Sequence, residues 1–98
     1  MDIEFAAARL LRASRSLSEA TRHYGVPVGR KYIQRLAIIR AVDEFSQLYG
    51  LSALRLHQLS GNRAGQYAVT LTGNYRLIIE PVTEESVRIL GVEDYHGD

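Results

Sequence analysis

The hydrophobic period of this chain changes once, near Gly50, from about four residues to two, and that change limits the folds open to it. Before it, Tyr32, Leu36, Ile39, Val42 and Phe45 recur at spacings of four and three, the stripe a helix turns toward a core. After it, apolar and polar residues alternate. In "QYAVTLT", Tyr67, Val69 and Leu71 fall on one side and Gln66, Ala68, Thr70 and Thr72 on the other. In "LRLHQL", Leu54, Leu56 and Gln58 oppose Arg55, His57 and Leu59; in "VRILGVED", Val87 and Ile89 oppose Arg88, Leu90 and Val92. Helices followed by strands with short links predict an α+β fold. Its antiparallel meander buries one face under the helices.

Local signals refine that outline. "DIEF" alternates as a short strand does, and "ARLLRA" fits a short helix. Ser16-x-x-Glu19 is a capping-box pattern opening "SLSEATRHYG", which Gly25 closes; Leu17, Ala20 and Tyr24 share a face between them. Pro27 suits the first turn of the next helix, which the stripe carries on to Gly50. "SGNRAG" and "TGN" read as turns, Pro81 and the acidic "VTEES" end the strand "YRLIIEP", and Gly91 marks a bulge or a close approach. The expected architecture is an N-terminal short strand and a helical hairpin packed on a mainly antiparallel C-terminal sheet. At 98 residues the chain is expected to form one domain, residues 1–98.

Several function classes drop out. No apolar run reaches the roughly 18 residues that cross a bilayer, and the acidic start lacks the order of a secretory signal. A cytoplasmic protein away from the membrane is expected. With no cysteine, disulfides, thiolate zinc sites and cysteine nucleophiles are excluded. His23, His57 and His96 are the only histidines and have no metal-motif spacing. "GNRAG" leads into a strand rather than a helix, so it is no phosphate loop. Neither metal nor cofactor is expected.

The net charge of +1 hides an asymmetry. Residues 1–63 carry ten basic side chains against five acidic ones; residues 64–98 carry two against six. Every basic residue but Lys31 is arginine, whose planar fork suits phosphate. Cleaving RNA without a metal needs a base for the 2′-hydroxyl, an acid for the leaving 5′-oxygen and cations around the phosphorane. Histidine fills the first two roles because it titrates near about pH 6.5. In one sheet, His57 and Arg76 can project from the same face, with Arg63 in the loop between. The last strand would bring Asp94, Tyr95 and His96 to the same rim. Each has a plainer reading: a structural strand histidine, an Arg76–Glu80 ion pair, an edge aromatic.

The segments "LHQLSGNRAGQYAVTLTGNYRLIIEP" and "VRILGVEDYH" resemble the HigB-type toxins of type II toxin–antitoxin modules, in the RelE/ParE superfamily. Their pattern is a histidine, a glycine turn with arginine, an "N-Y-R-[LI]" strand and a terminal "D-Y-H". The match is strongest over residues 54–96, and "YG…RKYIQRL" agrees more loosely. The resemblance implies an endoribonuclease that cleaves mRNA in the ribosomal A site without metal. It implies a helix-turn-helix antitoxin that neutralises the toxin in a hetero-oligomer and alone reaches operator DNA. Carried over by position, His57 and His96 are the acid–base pair, Asp94 orients a histidine or acts on the 2′-hydroxyl, and Tyr95 meets the nucleotide. Arg63 and Arg76 bind phosphate. The chain departs from its relatives at Gln58, where they often have proline, at Asn62, and in having one lysine. A ParE-like gyrase poison and a catalytically degenerate antitoxin-binding module stay open as alternatives.

Overall fold

The computed structural model of the chain describes residues 1–94. In order along the chain these form β1 (Asp2–Phe5), α1 (Ala8–Ala13), α2 (Leu17–Tyr24), α3 (Val26–Ala41), β2 (His57–Gln58), β3 (Tyr67–Thr70), β4 (Tyr75–Thr83) and β5 (Ser86–Asp94), with short 3-10 turns at Phe45–Gly50, Ser52–Leu54 and Gly61–Arg63. The sheet runs β1-β5-β4-β3-β2. The last four strands are the expected antiparallel meander, and β1 joins it in parallel against β5. The α+β architecture read from the periodicity is the one observed. No described helix is long and apolar enough to cross a membrane.

The helices cover one face of the sheet. Leu10, Ala20, Tyr32, Leu36 and Ile39 meet Val69, Leu77, Ile79, Val87 and Ile89 in one buried cluster. Ser16 caps α2 by accepting from the Glu19 amide at 3.0 Å, as its spacing predicts. Gly29 lets α2 and α3 touch: a Cβ there would stand 2.8 Å from the backbone of Ala20. The Tyr32 hydroxyl crosses the layer to donate to the Leu10 carbonyl at 2.7 Å, so burying the tyrosine strands no polar atom.

Three details depart from the sequence reading. Helix α3 stops at Ala41, not Gly50, because Val42 is extended; the Met1 ammonium donates to the Ile39, Arg40 and Val42 carbonyls, a cation on the negative end of the helix. Phe45 still reaches the core, from a 3-10 turn pinned to the β4–β5 turn by Phe45 N to Glu84 O at 2.7 Å and Ser46 N to Glu84 Oε1 at 3.0 Å. The strand expected over Leu54–Leu59 shrinks to His57–Gln58, because Ser52–Leu54 coil and Arg55 turns left-handed at φ 49°. Strand β4 continues through Pro81 to Thr83, where only β5 flanks it and the missing amide costs no ladder bond. The register shifts between Ile78 and Ile79, which pair with Gly91 and Ile89. Leu90 is therefore the extra residue, and the parity of β5 beyond it is reversed.

Candidate active site

The face turned away from the helices carries the site. Register links His57 to Ala68, Ala68 to Ile78, Thr70 to Arg76 and Arg76 to Glu93, so His57, Thr70, Arg76 and Glu93 share that face. His57 and Arg76 both line a cavity of about 180 Å³ with Arg55, Thr70, Thr72 and Tyr75. The expected pairing of His57 with Arg76 on one face is what the strands produce.

Backbone geometry sets the imidazole. Left-handed Arg55 swings the chain from the 3-10 turn into β2, and its carbonyl lies 3.0 Å from His57 Nδ1. A carbonyl oxygen only accepts, so Nδ1 carries the hydrogen and the neutral ring keeps its lone pair on Nε2. His57 is exposed. It can take a proton through Nε2 without surrendering the bond that orients it.

The two arginines singled out from the sequence meet at one carboxylate. Arg63 grips Glu93 in a two-pronged pair, Nη1 to Oε1 at 2.9 Å and Nη2 to Oε2 at 2.6 Å, while its Nε donates to Gln66 Oε1 at 3.0 Å. Arg76 Nη2 lies 3.5 Å from the same carboxylate. The Arg63 hydrogen bonds, and to a lesser degree the charge of Arg76, hold Glu93 below the usual carboxylate range against the opposing effect of burial. Arg63 thus has its whole fork engaged and ties the Gly61–Arg63 turn to β5. Arg55, which lines the cavity, makes no side-chain hydrogen bond or ion pair among the described residues.

Sequence reasoning missed Glu93 and the cavity-lining Arg55. Glu93 escaped because the bulge at Leu90 reverses which residues of β5 face Arg76. Asp94 stands opposite Tyr75 in the ladder, one position past Glu93 and on the alternate parity. Tyr75 lines the cavity, whereas Asp94 is not among its lining residues. Tyr95 and His96 lie outside the described residues. His23 sits apart at the end of α2, with Nδ1 2.9 Å from the Glu19 carbonyl. The described residues include no group of three His, Cys, Asp or Glu able to hold a metal ion.

No protein-family profile matches the chain, and no curated protein sequence matches it. Solved structures do. The YoeB–YefM complex from Staphylococcus aureus is similar with a TM-score of 0.64 at 18% identity, over 99% of this chain and 98% of that one. YafQ from E. coli strain BL21(DE3) is similar with a TM-score of 0.56 at 17% identity, over 95% and 91%. A YoeB/ParE toxin from Agrobacterium tumefaciens is similar with a TM-score of 0.57 at 11% identity, over 98% and 100%. Identities this low establish a common fold, the RelE/ParE-like one, across nearly the whole of each chain.

Proposed function

We propose that this chain is the toxin of a type II toxin–antitoxin pair, of the HigB kind, and cuts mRNA on the ribosome by acid–base chemistry. The observation that carries the reading is one cavity lined both by an imidazole whose Nδ1 is held by a carbonyl and by two arginines, Arg55 and the Glu93-bridged Arg76. A base beside fixed cations is what 2′-hydroxyl attack on a phosphodiester requires. In the proposed reaction one histidine of the pair His57 and His96 takes the 2′-hydroxyl proton. The attacking oxygen forms a 2′,3′-cyclic phosphate, and the other histidine gives a proton to the departing 5′-oxygen. The Nδ1–carbonyl bond favours His57 as the base.

Arg55 bears on the phosphate directly, and Arg76, bridged to Glu93 at 3.5 Å, joins it as that carboxylate gives way. Arg63 reaches it only by releasing Glu93, so its role is first to hold the loop and its share in binding follows displacement of that carboxylate. Asp94 and Tyr95 stand next to His96 in sequence and are assigned to orienting it and to meeting the nucleotide. No step calls on a metal or cofactor. A cognate helix-turn-helix antitoxin, complex formation with it in the cytoplasm, and operator contact only through it belong to the same proposal. The S. aureus relative was solved as a complex of two proteins, YoeB and YefM, which favours a protein partner here.

The test is induced expression beside ribosome-dependent cleavage by the purified chain. Growth stops, mRNA is cut within codons, and His57→Ala or His96→Ala each abolishes both while thermal unfolding is unchanged. Arrest that survives both substitutions overturns the nuclease reading in favour of a gyrase-type contact poison. No arrest, with an antitoxin still bound, favours the degenerate binding module.

A further inference from the structure

A second and larger cavity, about 580 Å³, opens where α2 and α3 meet the β3–β4 hairpin. Leu17, Pro27 and Ile33 give it an apolar floor, Arg30 and Lys31 stand over it, and Thr72 forms a wall shared with the His57 cavity. Both Arg30 and Lys31 are exposed, and no described acid lines either cavity. The sole lysine of the chain is therefore at this spot.

Beneath the shared wall lies Arg35, only 6% exposed. Its Nε donates to the Thr70 carbonyl at 2.9 Å, its Nη1 to Gln34 Oε1 at 3.4 Å and its Nη2 to the Ala53 carbonyl at 3.3 Å. Thr70 lines the smaller cavity and Gln34 the larger, so one guanidinium braces both. All three acceptors are neutral. The buried charge is hydrogen-bonded but not cancelled, and two of its three acceptors belong to residues that line the cavities.

We propose that the two cavities are one groove seating consecutive nucleotides of a single RNA strand. Arg30 and Lys31 take the phosphate next to the one held beside His57, and Leu17 and Pro27 take its base. The inference rests on the RNA-cleaving reading and extends it to a neighbouring subsite. Cations at the edge of an apolar patch suit a nucleotide: the base packs on the aliphatic Leu17 and Pro27 side chains and the phosphate meets the charges at the rim. The shared Thr72 wall and the cation under it make the path continuous, which a separate ligand site would not need.

The experiment measures binding of 2′-deoxy oligonucleotides, which cannot be cut, of two, three and four nucleotides to the full chain across salt. The wild type gains at least about five-fold in affinity when the strand grows past two nucleotides. The exposed double variant Arg30→Ala/Lys31→Ala binds the dinucleotide as wild type does but loses that step, and its salt slope falls by about 0.7, the amount for the one phosphate no longer neutralised. Arg55→Ala weakens every length, including the shortest. If the double variant keeps both step and slope, the groove is overturned while the His57 cavity remains an RNA site. If no length binds, or Arg55→Ala changes nothing, both readings fall. An oligoglutamate that outcompetes the tetranucleotide in wild type, but not in the double variant, makes the larger cavity a seat for an acidic peptide and overturns the proposal.

Discussion

The open face of the sheet has two ends that treat the same side chain in opposite ways. At the β1 end, Arg88 lies between two acids, Nη2 to Glu4 at 3.0 Å and Nη1 to Glu80 at 2.9 Å, and first Glu4, then Glu80, raises its pKa above the ordinary arginine value. At the β2 end, Arg63 and Arg76 share the one carboxylate of Glu93, at 2.6 Å and 3.5 Å, while Arg55 beside His57 makes no side-chain hydrogen bond or ion pair among the described residues. One end gives a single arginine two acids; the other gives two arginines one acid and sets a third arginine beside the imidazole. Charge alone does not mark the site. The imbalance of charge does.

Substitutions can break or sharpen that contrast. The largest effect is catalytic: on the proposed function, His57→Ala takes mRNA cleavage below detection, a loss of at least about 10²–10⁴-fold, whereas Arg88→Ala leaves the cleavage rate alone. Equal losses at both ends would dissolve the distinction. Next comes Gly29→Ala, which strikes the helical backing common to both. With a new methyl 2.8 Å from the Ala20 backbone, the helices must part, at about 1–3 kcal/mol, read as a fall in Tm with cleavage intact at low temperature.

Glu93→Gln sharpens the comparison further by making the β2 end more cationic. Binding of a short uncleavable RNA tightens several-fold and its salt dependence steepens, while the matching Glu80→Gln leaves binding unchanged. The same variant tests linkage. Because Glu93 titrates lower in the folded chain than in the unfolded one, its contribution to stability is complete above its unfolded pKa. That contribution is lost as pH falls through the folded value. Glu93→Gln therefore lowers stability in the neutral region, meets the wild-type curve once pH has fallen through the folded value, and so flattens part of the acid limb. The smallest effect is Arg88→Ala on stability. This pair of surface bridges is screened by solvent, so Tm moves little and moves less still in high salt.

How far the sequence could be read follows from where each signal is local. Ser16-x-x-Glu19 and Gly25 set the bounds of α2 with neighbouring atoms only, and they read correctly. The Tyr32–Phe45 stripe correctly marked buried residues yet overran the helix. The stop at Val42 depends on Met1 and Glu84, both far away in the chain. His57 and Arg76 could be placed on one face because β2–β3–β4 pair without a slip. Glu93 could not, since alternation counted along "VRILGVED" misses a bulge that exists only against Ile78 and Ile79. Lone Arg55 gave no pattern at all; only its left-handed backbone reveals how it aims the histidine.

The parallel pairing of β1 with β5 governs timing. Strand β1 precedes the other described strands in the chain yet pairs only with Ser86–Ile89, so it waits until those residues have been made. Until β5 arrives, β4 has a bare edge, the Arg76–Glu93 link does not exist, and the sheet cannot close from either side. Such late, long-range closure is slow. The face that carries His57 and Arg76 is therefore completed only after β5 has been threaded between two strands that were already there.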